Sequence, residues 1–309
     1  MSTDCIDTII SEFEKIRKKH DKDIYLEGGR ARLYEKISKN LASGQPLIWM
    51  LPSFPFKSQN PEHTFGKLPD GGEEIALKVL HGFCEKISGY YEHGAKIILA
   101  SDGRLYADLV GIADEDVFNY RSKLLELYKN IVESDRKIPY LSWYSLDDAF
   151  PSVNSAKDKR RALVEAYPQE IETIMERVHS DVHYNRLYVG FKNLMIGELS
   201  IEKNRSKKSI EKEASEIAKK MLIRNFANAC LLKDRFPKAI RLSVKHHDTS
   251  SGIYGVNLLP NHHDIGTPWL NVLVKSGEEE FTYMKRKDAE DRRYIIQENN
   301  GVAWFYTKL

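Results

Sequence analysis

Apolar residues recur along this chain with two different periods. Residues 5 to 19 set Ile6, Ile9, Ile10, Phe13 and Ile16 on one helical face, and residues 30 to 42 continue as a second amphipathic helix. Leu47-Ile48-Trp49-Met50-Leu51 then forms an apolar run short enough for a strand, predicted over 46–52. A Pro-, Gly- and Asn-rich loop follows over 53–72, long for a compact domain and of the kind that usually carries function. Gly71-Gly72 leads into a helix predicted over 73–90, through Ile75, Ala76, Val79, Leu80 and Phe83. Lys96-Ile97-Ile98-Leu99-Ala100 predicts a second strand over 95–100. Asp114 starts another helix, through Val117, Tyr120, Leu124 and Leu127. Strand, loop, helix, repeated twice, is an α/β alternation.

The middle of the chain, 130–222, reads as mainly helical, interrupted by Pro139 and Pro151. Glu198 to Lys220 is highly charged, a solvent-facing or mobile helix, and 221–232 returns to an apolar face. The last third changes period. Ala239 to Val244 alternates, and 269–274, 280–284 and 302–306 also read as strands, with turn signals at Ser276-Gly277 and Asn299-Asn300-Gly301. These short strands suggest antiparallel additions to the sheet. The division expected is 1–129 and 223–309 as two parts of one core, with 130–222 as a helical lobe.

Lys plus Arg number 47 against 45 Asp plus Glu, which leaves no concentrated basic face for nucleic acid. The run Lys157 to Arg161 carries its own acid and reads as a solvated helix face. No stretch reaches the roughly 18 apolar residues of a membrane span, and the N-terminus lacks a signal-peptide core. Cys5, Cys84 and Cys230 form no disulfide or metal spacing. The expectation is a cytoplasmic protein without nucleic-acid or membrane partners. His246-His247-Asp248 and His262-His263-Asp264 match no strong metal signature, so no metal site is expected.

Candidate chemistry collects at the two strand ends, where open α/β sheets bind ligands. Lys57 follows the first strand between Phe56 and Ser58. Desolvation by Phe54 and Phe56 would lower its pKa and favour a free amine; a charged amine would instead grip phosphate. Ser101-Asp102-Gly103-Arg104 follows the second strand. Asp102 would move protons or hold a substrate ammonium, Ser101 and the Gly103 amide would donate to an oxyanion, and Arg104 would clamp a carboxylate or phosphate. A plain Asp-Gly turn is the alternative. Glu73 and Glu74 stand at a helix start, where unpaired amides stabilise a carboxylate; Glu74 is the catalytic candidate. Arg224 lies on a helix, and Arg241, Ser243 and Lys245 share one face of a strand, either an anion site or a solvent face.

The blocks Phe54-Pro55-Phe56-Lys57-Ser58-Gln59-Asn60-Pro61, Leu68-Pro69-Asp70, Ser101-Asp102-Gly103-Arg104, Asp108-Leu109-Val110-Gly111-Ile112 and Asp114-Glu115-Asp116-Val117 resemble the pyoverdine/dityrosine biosynthesis family. Arg224, Arg241-Leu242-Ser243 and Thr267-Pro268-Trp269 fit the same pattern. The resemblance covers about residues 45 to 275 and implies a Rossmann-like α/β core with a mixed sheet, flanking helices, a helical insertion and added antiparallel strands. It implies an isonitrile synthase, which turns the amine of tyrosine or tryptophan into an isonitrile with the C2 carbon of ribulose 5-phosphate. No cofactor is implied. A separate iron/2-oxoglutarate oxygenase commonly takes the product.

On that reading Lys57, Asp102 and Glu74 carry catalysis, and Ser58, Ser101, Gly103, Arg104, Arg224, Arg241, Ser243 and Trp269 bind substrate. Tyr90, Tyr91, Trp143 and Tyr144 are further candidates for an aromatic pocket. One departure stands out: Leu270 follows Thr-Pro-Trp where the family pattern has histidine, which points to another substrate or to His262 or His263 as a substitute. The short C-terminus fits a bacterial stand-alone enzyme. An N-acyl or N-formyl transferase and a non-catalytic α/β binding protein remain as alternatives.

Overall fold

The computed structural model describes residues 3–19, 23–134, 138–201, 205–247, 249–260, 266–278 and 280–308. In chain order, helices α1 (Thr3–Ile16) and α2 (Arg30–Leu41) precede strand β1 (Leu47–Pro52). Helix α3 (Gly71–Ser88), strand β2 (Ala95–Ala100), helices α4 (Gly103–Tyr106) and α5 (Asp114–Ser134), and strand β3 (Leu141–Tyr144) follow. Helices α6 (Leu146–Ala149), α7 (Ala156–Ala166), α8 (Ile171–Ser180), α9 (Val182–Leu199) and α10 (Lys207–Arg235) come next. Strands β4 (Ile240–Ser243), β5 (Ile253–Gly255), β6 (Val272–Lys275) and β7 (Phe281–Met284), helix α11 (Arg286–Asp291), and strands β8 (Ile295–Asn299) and β9 (Val302–Thr307) complete the chain.

The first sheet has the order β3-β2-β1-β4-β5 and every pair in it is parallel. Strand order reverses between β1 and β4, the position where doubly wound sheets open a ligand crevice. Central parallel strands are packed on both faces, which is why β1 reads as an unbroken apolar run. One face meets α1, α2, α3 and α5 in the main core. There Trp49 stacks on Phe13 (5.2 Å between ring centroids) and meets Phe83 edge-on. Burial of side chains this large contributes roughly 1.5–3 kcal/mol each. Ile97, Leu99, Ile240 and Leu242 point to the same core. By alternation, Met50 and its register partners Ile98 and Arg241 point to the opposite face.

The C-terminal strands differ from the expectation. They do not extend the first sheet but form a second one, β7-β6-β9-β8, antiparallel except for the β6–β9 pair. The reason is that β6 has two apolar faces. Leu273 joins the main core, while Val272 and Val274 pack with Ala289 and Tyr306 in a small core of their own. Trp269 lies in a short 3-10 turn, Pro268–Leu270, rather than in the strand. Strand β3 falls within the stretch expected to be helical; it is a four-residue edge strand after Pro139. The charged and apolar stretches around 207–235 are one helix, because Ile210, Ala214, Ala218, Met221 and Leu222 continue a single buried stripe.

The chain divides into two compact units. One comprises Met1–Ser101, Asn119–Tyr144 and Lys238–Leu309, and the other Asp102–Phe118 and Ser145–Pro237. The first holds both sheets; the second is helical. Among the described residues, no helix is long and apolar enough to cross a membrane.

Candidate active site

In the first unit, the loop after β1 turns inward at Lys57, whose side chain is fully buried. Its ammonium lies 2.6 Å from Asp70 Oδ2 and 2.9 Å from Glu73 Oε2, and donates to the Pro268 carbonyl at 2.9 Å. Asp70 and Glu73 are also the capping box of α3. The Gly72 amide donates to Asp70 Oδ1 (2.8 Å), and the Asp70 amide donates to Glu73 Oε2 (3.0 Å). Tyr120 of α5 donates to Glu73 Oε1 at 3.0 Å. Gly71 is required beside this cap, since a Cβ there would lie 2.8 Å from the Trp304 carbonyl.

The structure corrects the free-amine reading of Lys57. Burial alone would depress its pKa, but the charges of Asp70 and Glu73 outweigh burial and raise it. Lys57 is therefore a charged residue with three acceptors. Burial pushes Asp70 up to about 7; Lys57 pulls the other way, and Glu73 adds to the rise. Glu73, not Glu74, faces Lys57. Glu74 accepts instead from Trp304 Nε1 (2.9 Å) and Lys78 Nζ (2.6 Å).

The same loop ties the motif residues to the sheet end. Phe54 has φ +52°, a left-handed conformation that bulky side chains rarely adopt and that costs about 1–3 kcal/mol. Ser101 Oγ donates to its carbonyl at 3.0 Å, and its ring packs edge-on against Trp269 (5.3 Å). The Ser58 amide donates to the Trp269 carbonyl at 2.8 Å, while Ser58 Oγ meets His63 Nδ1 at 3.3 Å. Burial, then the charge of Lys285, lowers the His63 pKa to about 4. Arg241, opposite Met50 across the β1–β4 pair, brings Nη1 to 3.3 Å from Met50 Sδ. Ser243 Oγ accepts from the Lys245 amide at 3.1 Å. Leu270 packs against the main core, and its carbonyl accepts from Lys285.

The other aromatic candidates have separate places. Tyr90 is exposed, Tyr91 donates to the Gln45 carbonyl, and Trp143 packs on Tyr128. Asp248, His262, His263 and Asp264 lie outside the described residues. Among the described residues, no group of three His, Cys, Asp or Glu side chains is placed to hold a metal ion.

The second unit begins at Asp102, at the N-terminal end of α4, which Gly103 opens. The run is thus a helix entry rather than a plain turn. The charge of Asp102 adds to burial in raising the pKa of Tyr106, whose hydroxyl donates to Asn225 Oδ1 (3.1 Å). Arg104 donates to Asp147 Oδ2 (3.2 Å) and to the Asp114 carbonyl (2.8 Å). Arg224 forks onto both oxygens of Asp108 at 2.5 and 2.9 Å. Burial would raise the Asp108 pKa, but Arg224 and Arg160 outweigh it and hold it low. Arg160 forks onto Asp114 at 2.9 and 3.1 Å and reaches the Arg104 carbonyl. It sits in the run read from the sequence as a solvated face, yet it is buried.

The model of the family described as "Pyoverdine/dityrosine biosynthesis protein" matches residues 37–296. The chain is 35% identical to L-tryptophan isonitrile synthase AmbI1 of Fischerella ambigua, across 83% of this chain and 78% of that one. It is 31% identical to an L-tyrosine isonitrile synthase of Pseudomonas aeruginosa, across 88% and 82%. The crystal structure of the PvcA protein from Pseudomonas aeruginosa superposes with a TM-score of 0.91 at 27% identity, over 99% of this chain and 100% of that one. With this match over most of its length, the chain belongs to the pyoverdine/dityrosine biosynthesis family.

Proposed function

We propose that this protein is an isonitrile synthase that converts the α-amine of L-tryptophan or L-tyrosine to an isonitrile, with the C2 carbon of ribulose 5-phosphate as the carbon source. The observation that carries this reading is the convergence at the end of β1. Phe54, Lys57, Ser58, Ser101 and Trp269 come from distant parts of the sequence and are joined there by direct hydrogen bonds and ring packing. The similarity to synthases named for tryptophan and tyrosine supports the substrate class.

In this reading Lys57 is a positioning residue. Its charge fixes the start of α3 and the Pro268 carbonyl, and so holds Trp269 and the strained Phe54 beside the sheet end. Condensation of an amine with a ketone, dehydration and carbon–carbon cleavage all need proton transfers, and Asp102 is the proposed proton carrier. The reaction takes place in the cytoplasm, and its product passes to a separate iron/2-oxoglutarate oxygenase.

The test is a mass-spectrometric turnover assay with each amino acid and ribulose 5-phosphate labelled at C2. A labelled isonitrile is the expected product. A labelled formamide formed without any isonitrile precursor, or no product from either amino acid, would contradict the assignment.

A further inference from the structure

Helix α4, which Asp102 leads into, is too short to hold itself. The first turn of a helix is unfavourable to form, and α4 has only four residues over which to recover that cost. Its own bonds run from the Leu105 amide to the Asp102 carbonyl (3.0 Å) and from the Ala107 amide to the Gly103 carbonyl. The carbonyls of Arg104 and Leu105 accept from side chains. Arg160 Nη1 of α7 donates to the first at 3.0 Å, and Arg224 Nη1 of α10 donates to the second at 2.8 Å.

Neither guanidinium is placed to turn away. Arg160 is buried and forks onto Asp114, with its Nε 3.4 Å from Asp108. Arg224 forks onto Asp108, so its Nη1 and Nη2 are both committed within the protein. Asp108 and Asp114 belong to the same stretch of chain as α4. Each arginine therefore grips that stretch twice, once by a carbonyl and once by a carboxylate. Bonds from a charged donor are about twice as strong as neutral ones, and a planar fork fixes direction as well as distance. Asp102 opens the turn, so the placement of its carboxylate follows the backbone that the two arginines hold.

We propose that Arg160 and Arg224 are positioning residues for the reaction, which act through the α4 turn on Asp102 and not by contact with substrate. This rests on the function proposed above, in which Asp102 carries a proton. Proton transfer needs its partners within hydrogen-bond reach, and a displacement of about 1 Å costs up to about a hundredfold in rate.

The test measures kcat and both KM values for wild type, Arg160→Lys, Arg224→Lys and Arg161→Lys, each at a temperature where circular dichroism shows the variant folded. Lysine keeps a charge beside the aspartate but has no fork to span carboxylate and carbonyl together. Arg160→Lys and Arg224→Lys are expected to lower kcat at least about tenfold, with both KM values within about twofold of wild type. Arg224→Lys keeps the test open where burial at Arg160 costs folding, since Asp108 is partly exposed. Arg161 is exposed and pairs with Asp158 and Glu165 of its own helix, so Arg161→Lys leaves kcat in place. In an Asp102→Asn protein, Arg160→Lys should lower the residual single-turnover rate little further, because the group it positions is gone. A raised KM with kcat kept would make the arginine a substrate ligand and overturn the proposal. So would a full, additive loss of rate in the Asp102→Asn protein. No isonitrile from wild type would refute the function and the proposal with it. Turnover by wild type with kcat unchanged in both lysine variants would refute the positioning role alone.

Discussion

Buried positive charge is handled in opposite ways at two places in the first unit. Lys57 is enclosed by two carboxylates and a carbonyl, whereas Arg241 meets a thioether and, among the described residues, no acid. Lys57 lies in the loop after β1 and Arg241 within β4, and both belong to motif blocks. The difference assigns their roles. A compensated cation stabilises a local structure and loses that role when its partners are removed. An uncompensated cation is a cost to the fold that a bound anion turns into a gain. Arg104, Arg160 and Arg224 of the second unit, each on an aspartate, belong with Lys57.

The largest effect expected from this contrast is at Lys57. Lys57→Met leaves Asp70 and Glu73 buried without their cation and is expected to cost about 3–5 kcal/mol in urea unfolding. A loss below about 1 kcal/mol would show that the cluster does not hold the start of α3.

Arg224→Met is expected to cost less, about 1 kcal/mol, because Asp108 is 39% exposed and solvent screens the pair. Salt should shrink that difference. A difference that grows with salt would contradict the assignment.

The smallest effect is a change of slope. The Asp70 carboxyl moves from 3.8 to about 7, so between those pH values the folded state holds a proton that the unfolded state lacks. Stability from this group therefore falls as pH rises through that window. Asp70→Asn keeps a capping side chain and removes the titration. Its unfolding free energy should fall less than that of the wild type between pH 4 and 7. A steeper fall in the variant would reverse the sign and refute the shift.

Much of this was legible in the sequence, though not the partners. Strands β1 and β2 lie close to their expected bounds because central parallel strands carry unbroken apolar runs. Strand β8 left no such trace, since all five of its residues are exposed. Lys57 was visible as a motif residue, but its environment was not: Phe54 and Phe56 precede it in sequence, while Asp70, Glu73 and the Pro268 carbonyl surround its ammonium in space. One signal was available. Asp70-Gly71-Gly72-Glu73 has the spacing of a capping box, and that spacing selects Glu73 over Glu74. Arg160 had no such signal, because its run of charges matches an exposed helix and only the fold buries it. That Arg241 meets a thioether is likewise a fact of three dimensions, set by the register that puts Met50 beside it.

Unfolding midpoints of Lys57→Met and Arg241→Met, measured side by side against wild type without ligand, test the division of cations most directly. The Lys57 variant should unfold at a clearly lower temperature, and the Arg241 variant at the wild-type temperature or above it. A fall in the Arg241 variant as large as that at Lys57 would show that its charge already serves the fold, and the division would not stand.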